Sequence, residues 1–273
     1  MISCVIRTYN EQALLNQVLS ALSVQSIGMP EIVIVDSGST DGTVEMAKQY
    51  KTKLIQIKKE EFNYSYALNL GIENTSYELV AILSGHSIPY DESWLEKISS
   101  HFRDEKVAGV YCRQIPMPDA NPYEVLRIRK MFSDSEKTQA NFSNAGCCIK
   151  KSIWQEHQFK ILPAAEDKEW AQWAIDNCYK IIYEPKAEVY HSHNECCRKS
   201  ANRIIDIERA NDLRIMRRRS QILTLKQSAG LFVRDFKKLG MIDSGLLKKL
   251  SLARDCAARS FWYAYDFNRS RNG

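Results

Sequence analysis

Ile32-Val33-Ile34-Val35-Asp36-Ser37-Gly38-Ser39-Thr40-Asp41-Gly42-Thr43 is the stretch that decides the fold. Four consecutive β-branched residues make a strand buried on both faces, and the Ser/Gly/Asp run behind them makes a polar turn. A helix over 43–50 follows the turn. Upstream, residues 2–6 form another short buried strand. Asn10 caps a helix over 11–22, where Leu14, Leu15, Val18, Leu19 and Leu22 make one apolar stripe. Downstream, Lys53 to Lys58 reads as a third strand, 65–73 as a helix and Glu78 to Leu83 as a fourth strand. Pro89 and Asp91 then start a helix through Phe102. Strand and helix in alternation over the first ~100 residues predict a parallel α/β sheet. A strand over 107–112, a short one at 147–149 and a last pair at 179–183 and 187–190 complete the pattern.

Composition narrows the class. The chain has 273 residues, 44% hydrophobic and 26% charged, which excludes a disordered or collagen-like chain. No apolar run approaches the ~18 residues of a membrane-spanning helix. Met1 to Arg7 shows no basic flank ahead of a long apolar run, so a cytoplasmic location is expected. The eight cysteines include the adjacent pairs Cys147-Cys148 and Cys196-Cys197, a spacing that suits reduced thiols better than a disulfide framework. Charge is uneven: residues 198–273 carry +11 and the first 197 carry −6. A basic tail on an acidic body fits a membrane surface, a nucleic acid or a solvated helical face.

Parallel sheets bind ligands beyond the carboxyl ends of their strands. The polar residues there are Thr8, Tyr9, Asn10 and Glu11, then Asp36, Ser37, Ser39 and Asp41, then Ser84, Gly85 and His86. Asp36 suits a base ring N–H, and backbone N–H groups of the Gly-Ser turn suit hydroxyl or phosphate oxygens. The competing reading makes Asp36 and Asp41 caps of a turn and a helix. No GxGxxG or GxxxxGK[ST] follows the first strand, which disfavours a dinucleotide fold, a P-loop and a nucleotidyltransferase.

Val5-Ile6-Arg7-Thr8-Tyr9-Asn10-Glu11 followed by Ile34 to Thr43 resembles the opening of family 2 glycosyltransferases. The resemblance continues through Leu83 to Pro89, Asn144-Ala145-Gly146, Ala165-Glu166-Asp167 and Val189 to His193, over roughly the first 195 residues. Tyr111 to Gln114, with Pro116 to Pro122, resembles the rhamnosyltransferase-like subgroup. The resemblance implies the GT-A fold over 1–197, with a nucleotide-binding half at about 1–110 and an acceptor half over 111–197, ahead of a basic helical extension over 198–273. It implies inverting transfer from a UDP- or TDP-linked donor to a saccharide or lipid-linked saccharide acceptor, in bacterial surface polysaccharide synthesis. Donor contacts would come from Thr8, Tyr9, Glu11, Asp36, Ser37, Ser84, Gly85 and Arg113. Asp167, with Glu166, would be the general base; its place at a helix start predicts a fixed, ionised carboxylate. The bland alternative is a capping Asp167 and a surface Glu166.

The metal motif departs from the family's acidic DxD pattern. His86 stands where a ligating Asp is expected, and His193, more than His191, matches a histidine of the family's metal site. Imidazoles suit Mn²⁺ better than Mg²⁺. Metal-independent turnover and an impaired, GT-A-like binding protein are the other outcomes. A zinc site from His191, His193, Cys196 and Cys197 lacks the usual spacing. In the tail, Arg217-Arg218-Arg219, Lys237-Lys238 and neighbouring apolar residues suit the inner face of the plasma membrane or packing on the body or another subunit, and not a nucleic acid.

Overall fold

The computed structural model describes residues 1–132, 142–193 and 257–258. The expected 197/198 boundary and the basic helical extension lie outside the described residues, apart from a helical pair at 257–258. The chain divides into two compact units. The first comprises Met1–Met117, Ile128–Leu162 and Glu166–Ser192; the second comprises Pro118–Arg127, Pro163–Ala165 and His193–Gly273.

The first unit opens as the periodicity predicts. β1 (Ile2–Thr8), α1 (Gln12–Ser23), β2 (Glu31–Asp36), α2 (Thr43–Ala47), β3 (Lys53–Gln56), α3 (Tyr64–Glu73) and β4 (Leu79–Ser84) alternate. β5 (Ile88–Pro89), α4 (Trp94–Ser99), β6 (Val107–Ile115), β7 (Gly146–Lys150), α6 (Lys151–Glu156), α7 (Glu166–Asp176) and β8 (Lys180–Tyr190) follow, with α5 (Pro122–Met131) between β6 and β7. One sheet runs β3-β2-β1-β4-β7-β6-β8-β5. β1 to β4 are parallel to one another; β7 is antiparallel to both β4 and β6. Successive side chains of a strand face opposite sides. Cys4 and Ile6 therefore join the α1 stripe of Leu15, Val18, Leu19 and Leu22, with Trp94 and Ile98 of α4. Val5 joins Leu68 and Ile72 of α3 and Trp170 of α7 on the other face. Gly71 is needed there, because a Cβ would stand 2.5 Å from Val5 Cγ1. Cys4, Cys112, Cys147 and Cys148 are buried and unbridged. No helix among the described residues is long and apolar enough to cross a membrane.

Several boundaries differ from the sequence expectation. Asn10 does not cap α1: it takes a left-handed φ of 52°, and its Oδ1 accepts from Thr40 N at 2.7 Å. The α1 start is instead satisfied from the β2–α2 turn, by Asp41 Oδ2 on Gln12 N (3.2 Å) and Thr43 Oγ1 on Glu11 N (3.0 Å). The helix expected from Pro89 begins only at Trp94. Ile88 and Pro89 pair antiparallel with β8, and Asp91 Oδ1 closes a turn on Ser93 N at 3.0 Å. The helix expected over 43–50 ends at Ala47, where Gln49 and Tyr50 amides turn back on Met46 and Ala47 carbonyls. The expected last strand pair is one strand, β8. Its register on β6 jumps from Cys112↔Glu184 to Arg113↔Glu188, a bulge that takes up Pro185. In the second unit, Asn121 Oδ1 accepts from Glu124 N at 3.0 Å, and Arg127 pairs with Glu124.

Candidate active site

The carboxyl ends of β1, β2 and β4 carry the first cluster. β1 ends on Thr8, in register with Asp36, while Arg7 is in register with Ser84. Backbone bonds lock the exits together: Ser37 N donates to Thr8 O (3.1 Å) and Gly85 N to Arg7 O (2.8 Å). Gly85 has no room for a side chain. A Cβ there would stand 2.3 Å from Glu11 Oε2 and 2.7 Å from Thr8 Oγ1. That space holds Glu11, which accepts from Thr8 Oγ1 at 3.0 Å and faces His86 Nδ1 at 2.5 Å. Thr8, Glu11, Gly85 and His86 thus form one contact set, whereas the sequence reading gave Glu11 to the donor.

Asp36 is fully buried. Its Oδ1 accepts from Gly38 N (3.1 Å) and Ser39 N (3.0 Å), and its Oδ2 accepts from Ser39 Oγ. Ser37 is buried beside it. Asp41 accepts from the Thr43 hydroxyl, from Gln12 N and from Thr43 N, and these bonds outweigh its burial and pull its carboxyl below the usual carboxylate range. The capping reading of both aspartates therefore holds in the structure. Tyr9 is exposed, with Lys59 Nζ 5.2 Å from its ring centroid. Ser84 is half-buried at the end of β4. Arg113 pairs with Glu188 at 3.6 Å, across the bulge.

Two histidines form the second cluster. The His86 and His191 rings stack at 4.9 Å between centroids. His193 follows His191 by two residues in the chain, as the first residue of the second unit's last segment. His191 Nδ1 donates to Gln114 Oε1 at 2.8 Å, and Gln114 Nε2 donates to Ser143 Oγ at 2.9 Å. Glu11 and Gln114 each take one Nδ1, so a cation held by these rings would be met by the Nε2 of His86 and of His191. Nitrogen donors with one carboxylate behind them fit Mn²⁺ and later metals better than Mg²⁺.

The third cluster is the carboxylate pair at the start of α7. Ala165, just ahead, has φ 61°, a turn that sets Glu166 and Asp167 at the first positions of the helix. Glu166 is buried; its Oε1 accepts from Asn144 Nδ2 at 3.2 Å and lies 3.9 Å from Arg7 Nη1. Asp167 accepts from Asn144 N (3.3 Å) and Lys168 N (2.8 Å) and stays partly open to solvent. The helix start holds the Asp167 carboxyl in place, while its surroundings raise its affinity for a proton. Burial, and then the Glu166 charge, push it up to about 6, more than Lys168 and the two amides pull it down. Arg7, which joins β1 to this pair, carried no separate signal in the sequence. Gln114, the last residue of the Tyr111–Gln114 motif, holds His191.

Comparison with known proteins bears on the family and the fold. The chain is 31% identical over 223 residues to the O-antigen chain rhamnosyltransferase RfbN of Salmonella typhimurium, covering 75% of this chain and 70% of that protein. It is 30% identical over 222 residues to the O-antigen chain rhamnosyltransferase WbaN of Salmonella anatum, covering 74% of this chain and 69% of that one. Among solved structures, the mannosyltransferase PcManGT from Pyrobaculum calidifontis, in complex with GDP-Man and Mn²⁺, superposes with a TM-score of 0.69 at 17% identity, covering 100% of this chain and 88% of that one. S. aureus TarS 1–349 gives a TM-score of 0.59 at 17% identity, covering 100% and 91%. These two likenesses bear on the fold alone, and it is the GT-A α/β fold. The sequence pattern of Glycosyl transferase family 2 matches residues 3–158, more than half of the chain, and the chain belongs to that family of glycosyltransferases.

Proposed function

We propose that the chain moves a sugar, with inversion, from a UDP- or TDP-linked donor to a saccharide or lipid-linked saccharide acceptor in bacterial surface polysaccharide synthesis. The observation that carries the reading is the Glu166–Asp167 turn. It presents a partly open carboxyl that titrates near 6, held by two backbone amides beside a second carboxylate. The two O-antigen rhamnosyltransferases support a surface saccharide as acceptor.

In this reaction the acceptor hydroxyl loses its proton to Asp167. The acceptor oxygen bonds to the anomeric carbon as the bond from that carbon to the diphosphate oxygen breaks, and the nucleoside diphosphate departs with both electrons of that bond. Thr8, Tyr9, Ser84 and Gly85 line the donor side; Arg113, beside Glu188, faces the transferred sugar. Asp36 and Ser37 act by shaping the turn whose amides receive donor oxygens. His86, His191 and His193, with Glu11 behind His86, would hold a divalent cation, Mn²⁺ in preference to Mg²⁺. When bound, it supplies positive charge against the diphosphate. The work takes place at the inner face of the plasma membrane, with the basic tail at the anionic surface.

The test is a thermal-shift screen of nucleoside diphosphates and nucleotide sugars with and without Mn²⁺, followed by assay of free sugar. Binding of the correct donor raises the Tm by mass action. A protein stabilised by one donor that slowly releases its sugar supports the reading. Stabilisation without release by any donor favours a binding protein instead. In His86→Ala the Mn²⁺-dependent part of the shift should vanish; an unchanged metal response removes His86 from the site.

A further inference from the structure

Arg7 lies on β1 between Ile6 and Thr8, with its guanidinium wedged between two groups. Its Cζ is 5.1 Å from the centroid of the Tyr64 ring, at the start of α3, and its Nη1 is 3.9 Å from Glu166 Oε1. Nε and Nη1 are buried, and neither makes a hydrogen bond among the described residues. A cation taken out of water without hydrogen bonds is costly, and a sheet interior tolerates it where an opposite charge faces it. Here that charge is Glu166, half of a carboxylate pair. Asn144 ties the pair together, giving its side-chain amide to Glu166 and its backbone amide to Asp167. The α3 end is anchored to the same neighbourhood, since Asn63 Nδ2 donates to Leu162 O at 2.9 Å.

We propose that Arg7 is a positioning residue for the transfer reaction: it offsets the Glu166 charge, so that Asp167 beside it can release its proton and serve as base near neutral pH. The proposal rests on the reading of Asp167 as the proton acceptor. Among the described residues, the groups around Asp167 are Glu166 and Lys168 on α7 and the Asn144 amide, with Arg7 of β1 reached through Glu166. Two like charges side by side hold a proton between them more tightly, and a nearby cation loosens it. Removing Glu166 and removing Arg7 must therefore move Asp167 in opposite directions.

The experiment is a carbon-13 NMR titration of the Asp167 carboxyl in the full chain labelled at Asp, with the signal assigned by its loss in Asp167→Asn. Turnover of the identified donor is followed over the same pH range. Glu166→Gln should lower the Asp167 midpoint, and the acid limb of turnover with it, by about 1 pH unit. Arg7→Gln should raise both by a similar amount. Arg7→Lys, which keeps the charge, should stay within roughly 0.5 unit of the native value. Shifts of the same sign, no shift, or Arg7→Lys behaving as Arg7→Gln would overturn the role of Arg7. If Arg7→Gln fails to fold, Arg7→Met, which keeps an unbranched stem beside Tyr64 and removes the charge, takes its place with the same expectation. Full turnover in Asp167→Asn would instead overturn the base reading, whatever the titrations show.

Discussion

Two turns at the edge of this sheet each hold a carboxylate, and they differ in what surrounds it. Asp36, at the end of β2, is fully buried and accepts from two amides and a hydroxyl of its own turn. Asp167, at the start of α7, accepts from two amides only and has Glu166 as its neighbour. The first carboxylate spends its lone pairs on the backbone that carries it. The second keeps a lone pair and an open side, and pays for both in protonation. What separates the two carboxylates is the open side, the count of donors and the sign of the next charge.

That contrast can be broken by experiment. Asp167→Asn should lower turnover by about 10³-fold while leaving the Tm shift by nucleoside diphosphate intact. An equal loss in Asp36→Asn, with stability unchanged, would erase the distinction. Asp36→Ala should leave the Gly38 and Ser39 amides without an acceptor and cost about 3 kcal/mol in urea unfolding. The pH dependence sharpens the point. The folded value of Asp167 lies above its unfolded one, so its contribution to stability is full below pH 3.8 and is lost as pH rises through about 6. Asp167→Asn should accordingly match the native Tm near pH 4 and exceed it at pH 8. Asp41 has the opposite sign: its value is lowered, so its contribution is present above the usual carboxylate range and fades in acid. Asp41→Ala, which uncaps the first turns of α1 and α2, should cost about 1 kcal/mol at pH 7 and less in acid, read by the same unfolding curves.

The parallel half was legible because its signals are local. Ile32 to Val35 are buried on both faces, and the α1 stripe keeps its helical period, so pattern alone places β2 and α1. The misses involve partners distant in sequence. Asn10 looked like a cap until Asp41 and Thr43, about thirty residues on, took that place. Pro89 looked like a helix start until β8 recruited it as a strand. Residues 179–183 and 187–190 looked like two strands, yet a bulge carries one strand past Pro185. In the site, the motif residues were readable one by one. Their contacts were not: the link from Glu11 to His86 spans 75 positions, and no periodicity announces it. Arg7 sits inside a strand with no acidic residue in it, so only the fold shows which charge it meets.

The ends of the sheet have a consequence for handling the protein. One border is β3, four residues long with Lys53 at its start and Gln56 at its end; the other is β5, two residues long and closed by Pro89, which has no amide hydrogen to offer. Short, polar or proline-bearing borders resist strand addition by a second molecule. β3 and β5 give fibril-like stacking little to start from; β5 covers only Val189 and Tyr190 of β8, so strand addition would have to begin on the earlier part of β8.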